Sequence, residues 1–146
     1  MTQNNPSAWR WLAAAVAAHL AVSIVHGTAH TGAHVEQSAP ALAFVFVVIL
    51  AGPVVGLLLT WPAPRAGLWL IAATMAGSLL FGVVNHFVFD SPDHVAHVVS
   101  EWRALFGWTA VLLAVTEALG ASLAIREALF TTTRTTNASR RADIMA

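Results

Sequence analysis

Four long apolar runs dominate the chain, and most polar residues fall between them. The runs cover about residues 8–28, 40–60, 66–89 and 104–126. Each is close to the ~20 residues that an α-helix needs to cross ~30 Å of hydrocarbon at 1.5 Å per residue. The pattern predicts an all-α membrane protein, a bundle of four transmembrane helices in a single domain over residues 1–130. Trp9 and Trp11 suit an interfacial belt at the start of the first run. Arg10 also fits the charged end of a cleaved signal. The run is long for a signal and no clean Ala-x-Ala site follows, so we read it as a retained span. Pro40 fits the first turn of the second span. Gly52 and Gly56 have the Gly-x-x-x-Gly spacing that admits a neighbouring helix closely, and Ala73 and Gly77 repeat that spacing on the third. Pro53 predicts a kink. The polar stretch 131–146, rich in Thr and Arg, predicts a disordered cytoplasmic tail.

Between the third and fourth runs, Ser91, Pro92 and Asp93 look like a cap, a first-turn proline and an early-turn acid. They predict a short amphipathic outer helix over 92–101, with His94, His97 and Glu101 on one face. Arginine placement sets the orientation. With both termini cytoplasmic, Arg10, Arg65, Arg126, Arg134, Arg140 and Arg141 lie inside and only Arg103 lies outside. The expected location is the cell membrane, with the two histidine-bearing connections on the outer face.

Composition narrows the chemistry. The 146 residues are 58% hydrophobic and 10% charged, against roughly 25% charged in soluble domains. The absence of cysteine excludes disulfides, thiolate metal sites and thiol redox chemistry. A formal net charge of zero and no basic stripe exclude nucleic acid as a partner. The lipid bilayer is the expected partner, with a homo-oligomer or a larger membrane complex as a further expectation.

The histidines then stand out. His19, Ser23, His26, His30 and His34 are spaced by three or four residues and so share one helix face. Counted from the inner boundary, His26 lies at roughly 27 Å and His86 at roughly 30 Å. A lone outer histidine is more often solvated than a ligand. Here six histidines and four acids crowd two short segments. We therefore expect a transition-metal site built from His26, His30, His86, Asp90, His94 and His97, with His34, Asp93 and Glu101 as weaker candidates. Neutral imidazole ligates zinc, iron and copper alike. The matching depths of His26 and His86 also admit a haem b held between helices. Deeper in the membrane, His19 and Glu117 are expected to face one another as an intramembrane polar pair, because a lone buried carboxylate is costly there. Ser23 and Thr116 could support them.

The His-x-x-x-His spacing at the end of a span resembles the histidine boxes of membrane fatty-acid hydroxylases and desaturases. The likeness covers His26 to His34 and His94 to His97; the paired His-His boxes of those families are absent. It implies non-haem metal chemistry on a lipid-soluble substrate. The alternatives are metal-ion transport or delivery, a b-type haem electron-transfer subunit, and a non-catalytic subunit of a larger membrane complex.

Overall fold

The computed structural model describes the backbone of residues 6–145 and the side chains of 7–131. It is helical wherever regular structure occurs: α1 (Pro6–Gly32), α2 (Ala39–Leu59), α3 (Pro64–Val88) and α4 (Ser100–Met145). All four are long and apolar enough to cross a membrane. α4 packs on α1 and on α3, and α2 packs on α3. α1 meets α2 along the segment Gly52–Leu59.

Small residues set the α2–α3 crossing. A Cβ on Gly56 would lie 2.6 Å from an Ile71 side-chain carbon, and one on Gly52 would meet the Thr74 side chain. The Gly-x-x-x-Gly face of α2 is thus filled by Gly67, Ile71 and Thr74. Ala73 is exposed on the other side of α3.

Two helices widen locally into π-turns. In α2 the π-helical stretch is Val45–Ala51, just before Pro53. Proline has no N–H to give the carbonyl four residues back. That carbonyl belongs to Ile49, and the His19 Nε2–H, 3.0 Å away, serves it instead. In α3 the π-helical stretch is Val84–Val88, and the Phe89 N–H closes it onto Val84 O at 2.7 Å. It carries His86, buried, toward the interior.

α1 runs straight through Gly27 and ends at Gly32. Its end is a Schellman motif: Val35 N–H donates to His30 O at 3.1 Å and His34 N–H to Thr31 O at 3.2 Å. His34 holds the left-handed position with φ 54°.

The outer helix expected over 92–101 does not form. Residues 89–99 are a series of turns, and helix resumes only at Ser100. Local bonds divert the backbone. Val95 N–H donates to His86 O at 3.0 Å, Ala96 N–H to His94 Nδ1 at 3.2 Å, and the His97 Nδ1–H to Ser91 O at 2.9 Å. Such side-chain bonds offer the backbone an alternative to a helix ladder. At the far end, α4 continues to Met145, through the stretch whose composition predicts disorder. That stretch contains no Gly or Pro to end a helix.

Apolar packing falls into two clusters. One fills the half near the chain termini, with Leu12, Val16, Leu68, Ile71, Met75 and Ala124 among its members. The other is small: Ala29, Ala33, Val98 and Phe106, flanked by Val35, Val95 and Trp102. The histidines lie against this second cluster.

Candidate metal centre

His26 and His30 are one turn apart on α1, and the α3 π-turn brings His86 to meet them. His26 Nε2 is 3.2 Å from His86 Nε2 and 3.2 Å from His30 Nε2. All three residues are buried, and their potential ligand atoms lie within 4.8 Å of one another. Two nitrogens on one tetrahedral zinc, at bonds of ~2.0–2.1 Å, are roughly 3.3 Å apart. The spacing found therefore suits a shared cation.

The opposite ring nitrogens explain why the Nε2 atoms are the ones presented. Thr109 Oγ1 is 2.8 Å from His26 Nδ1, and its own O–H donates to Leu105 O at 2.7 Å. The hydroxyl must then accept from the His26 Nδ1–H. The His86 Nδ1–H donates to Asp93 O at 3.1 Å. His30 Nδ1 faces Asp93 Oδ1 at 3.6 Å, beyond hydrogen-bond distance, and neither atom has a hydrogen-bond partner among the described residues. The partners of His26 and His86 place their protons on Nδ1 and leave their Nε2 lone pairs facing each other, and a proton on His30 Nδ1, toward Asp93, would add a third. That is repulsive without a cation and is coordination with one. Outer partners of this kind fix the ring orientation of metal-bound histidines.

Phe106 floors the site. Its ring centroid lies 4.8 Å from His26, 4.7 Å from His30 and 5.1 Å from His86. Asp93 closes it from the 89–99 loop. Burial pushes the Asp93 carboxyl above its usual range, with His86 and a hydrogen bond from Gln37 opposing the shift.

The wider ligand set expected from sequence separates. His97 Nε2 pairs with Asp90 Oδ1 at 3.2 Å on the surface, and the His94 ring lies tilted beside His97 at 5.6 Å between ring centroids. The structure does not bring Asp90, His94 or His97 to the tripod. Without the outer helix, no shared face turns them inward. Glu101 is exposed at the start of α4. His34 caps α1 and is exposed. Asp93, a weaker candidate, is the acid that lies beside the histidines.

A haem b between His26 and His86 does not fit. Two axial nitrogens need roughly 4 Å between them, with a flat macrocycle in the gap. The gap here is 3.2 Å, and His30 and Phe106 crowd the same space.

Sequence reasoning missed Thr109, Phe106 and Gln37. Thr109 and Glu117 are two turns apart and both buried on α4. The depth count that matched His26 with His86 reaches Thr109 too, so a signal existed.

His19 Nδ1 lies 3.7 Å from Glu117 Oε1, both buried. His19 Nε2–H is committed to Ile49 O, so Nδ1 turns a lone pair toward the carboxyl. A hydrogen bond there requires one proton held between the two groups. Ser23 and Thr116 do not join them; their hydroxyls donate to His19 O at 2.8 Å and Leu113 O at 3.0 Å. A cavity of about 450 Å³ reaches from the tripod at one end to Ser78 and Glu117 at the other. Its remaining walls are largely apolar, Ile49, Phe81 and Leu113 among them.

Fold and site together define a class: an all-helical protein with four helices fit to span a membrane and a tri-histidine group that could hold a metal ion. No family model, curated protein or solved structure matches the chain.

Proposed function

We propose that this chain is a metal-dependent membrane protein whose tri-histidine centre acts, through an open coordination position, on a lipid-soluble molecule. The observation that carries the reading is the convergence of the three Nε2 atoms beside an apolar cavity, with His26 and His86 held from behind at Nδ1. Three protein ligands leave a fourth position for water or substrate, the arrangement of catalytic rather than structural zinc sites. Iron or copper in the same ligands would suit redox or hydroxylase-like chemistry. Three imidazoles are neutral and leave the metal charge uncompensated. Asp93, facing His30 Nδ1, is the buried carboxyl nearest to that charge, and a cation on the tripod would favour its charged form. Glu117, at the far end of the cavity, with His19 behind it, is the group that gives or takes a proton.

In this reading the four helices form one bundle in the cell membrane. Both termini are cytoplasmic, by the arginine distribution, and the centre lies toward the outer face. Transport of an ion through one copy is disfavoured. Below Glu117 the interior is mainly the apolar cluster of Leu12, Val16, Leu68, Ile71 and Met75, with Thr60 and the Trp9 indole N–H among its buried polar groups and no buried carboxylate or imidazole described there to carry an ion onward.

The test is elemental analysis with an absorption spectrum, on protein purified in detergent without chelators. The reading predicts about one transition metal per chain, no Soret band, and loss of the metal in a His26→Ala/His86→Ala variant that keeps its helical content. Absence of metal after add-back, or metal retained by the variant, contradicts it.

A further inference from the structure

The cavity beside the tripod has a mouth. Its lining includes exposed residues from two helices, Ile24, Gly27 and Thr31 on α1 and Leu42 and Phe46 on α2. The two helices meet along Gly52–Leu59, and the cavity occupies the gap between their other halves. These rim residues belong to segments long and apolar enough to cross a membrane. The gap is therefore placed to face hydrocarbon, and the easiest entrant is a molecule already dissolved in the bilayer.

The lining also selects. It contains no Arg, and the chain contains no Lys, so an anionic phosphate headgroup finds no cationic partner from the protein. Its polar groups are imidazoles, a carboxyl, amide and hydroxyls, which suit a neutral or weakly acidic oxygen function. About 450 Å³ lies within the range of ~300–1,000 Å³ in which pockets hold one small ligand. We propose that the cavity binds a single-chain lipid with an oxygen-bearing head, of the fatty alcohol, aldehyde or acid type, which enters sideways between α1 and α2. Its head lies at the tripod, and its chain runs out past Ile24 and Phe46 into the bilayer. The placement of the head rests on the metal reading above; the lateral entry does not.

Gly27 provides the test. A Cβ built there meets nothing within 4 Å, so Gly27→Trp narrows the mouth without a clash at the backbone. Leu42→Trp does so from the opposite rim. The probe is a fatty alcohol with a diazirine in its chain, added to the protein in phosphatidylcholine vesicles, photolysed and mapped by peptide mass spectrometry. The inference expects insertion at the cavity residues Leu113, Ala114 and Leu50 in the unaltered chain. It expects that interior labelling to be lost in both rim variants while labelling of the exposed Val115 and Leu119 and the metal content stay unchanged. Labelling confined to Val115 and Leu119 in the unaltered chain overturns it, as does interior labelling indifferent to both substitutions. If interior labelling depends on the rim but no metal is found, the metal reading fails and the lipid site stands. If metal is bound but the interior is never labelled, the lipid site fails and the metal reading stands.

Discussion

An imidazole has two nitrogens, and the partner of one decides what the other can do. Thr109 shows this for His26: its hydroxyl donates to the helix backbone, so only its lone pairs face the ring. Thr109→Val removes that acceptor with little change of shape. We expect metal affinity to fall by ~10–100-fold, the usual cost of losing such a partner, measured by competition with a chromophoric chelator. Unchanged affinity would show that Thr109 does not orient the ring. His19 follows the same logic with a different consequence. Its Nε2–H serves the Ile49 carbonyl that Pro53 leaves without a donor. His19→Leu should therefore destabilise the protein by ~1–3 kcal/mol, the cost of an unsatisfied buried acceptor. Adding Pro53→Ala returns a backbone donor and should recover part of the loss in thermal unfolding. Strict additivity of the two substitutions would sever the link. The histidines of the tripod were legible one by one, because spacing and depth are read directly from sequence. Their Nδ1 partners were less so: depth places Thr109 level with His26, but a threonine in an apolar run carries no mark that its hydroxyl faces a ring, and the Asp93 carbonyl is brought to His86 only by the 89–99 turns.

At the scale of elements, the spans were legible, and so were the ends of α2 and α3 to within two residues, but not the end of α1 or the limits of α4. Length and hydropathy decide that a helix crosses; local hydrogen bonds decide where it stops. His34 illustrates the difference. Four-residue spacing puts it on the face of His26 and His30, but α1 has already ended and His34 sits in the left-handed turn that closes the helix. A non-glycine residue there costs ~1 kcal/mol or more. We expect His34→Gly to stabilise the protein by about that amount and to leave metal content unchanged, by thermal unfolding and elemental analysis. Loss of metal would return His34 to the ligand set. The 89–99 turns teach the same lesson. Ser91, Pro92 and Asp93 carry a helix-start signature, but the peptide groups that follow bond to His86 and to the histidine side chains. What those turns accomplish is to lay Asp93 over His30 and His86. The π-turns were equally hidden. A proline predicts a kink, and what precedes Pro53 is a π-helical stretch whose Ile49 carbonyl is used by another helix.

Across the whole molecule, buried polar groups are unevenly spread. The half near the termini is mainly apolar, with the His19–Glu117 pair at its border. The other half buries three imidazoles, the Asp93 carboxyl and much of the cavity lining. Burying polar groups is unfavourable unless they are paired or bind something, and the three buried imidazoles form a group that could hold a metal ion; under the proposed function that ion is the occupant. Removing the occupant should matter to the fold as well as to function. Chelation is expected to lower the thermal midpoint, and metal add-back to restore it, by the linkage that makes any ligand of the native state stabilising. A midpoint indifferent to chelator and metal would indicate that the tripod is satisfied without an ion. The most direct measurement is the X-ray absorption spectrum of the metal-loaded protein in lipid. The account predicts scattering from three imidazoles at ~2.0–2.1 Å with one further light atom, and the loss of one imidazole in His30→Ala. A first shell without imidazole scattering, or one unchanged by His30→Ala, would contradict it.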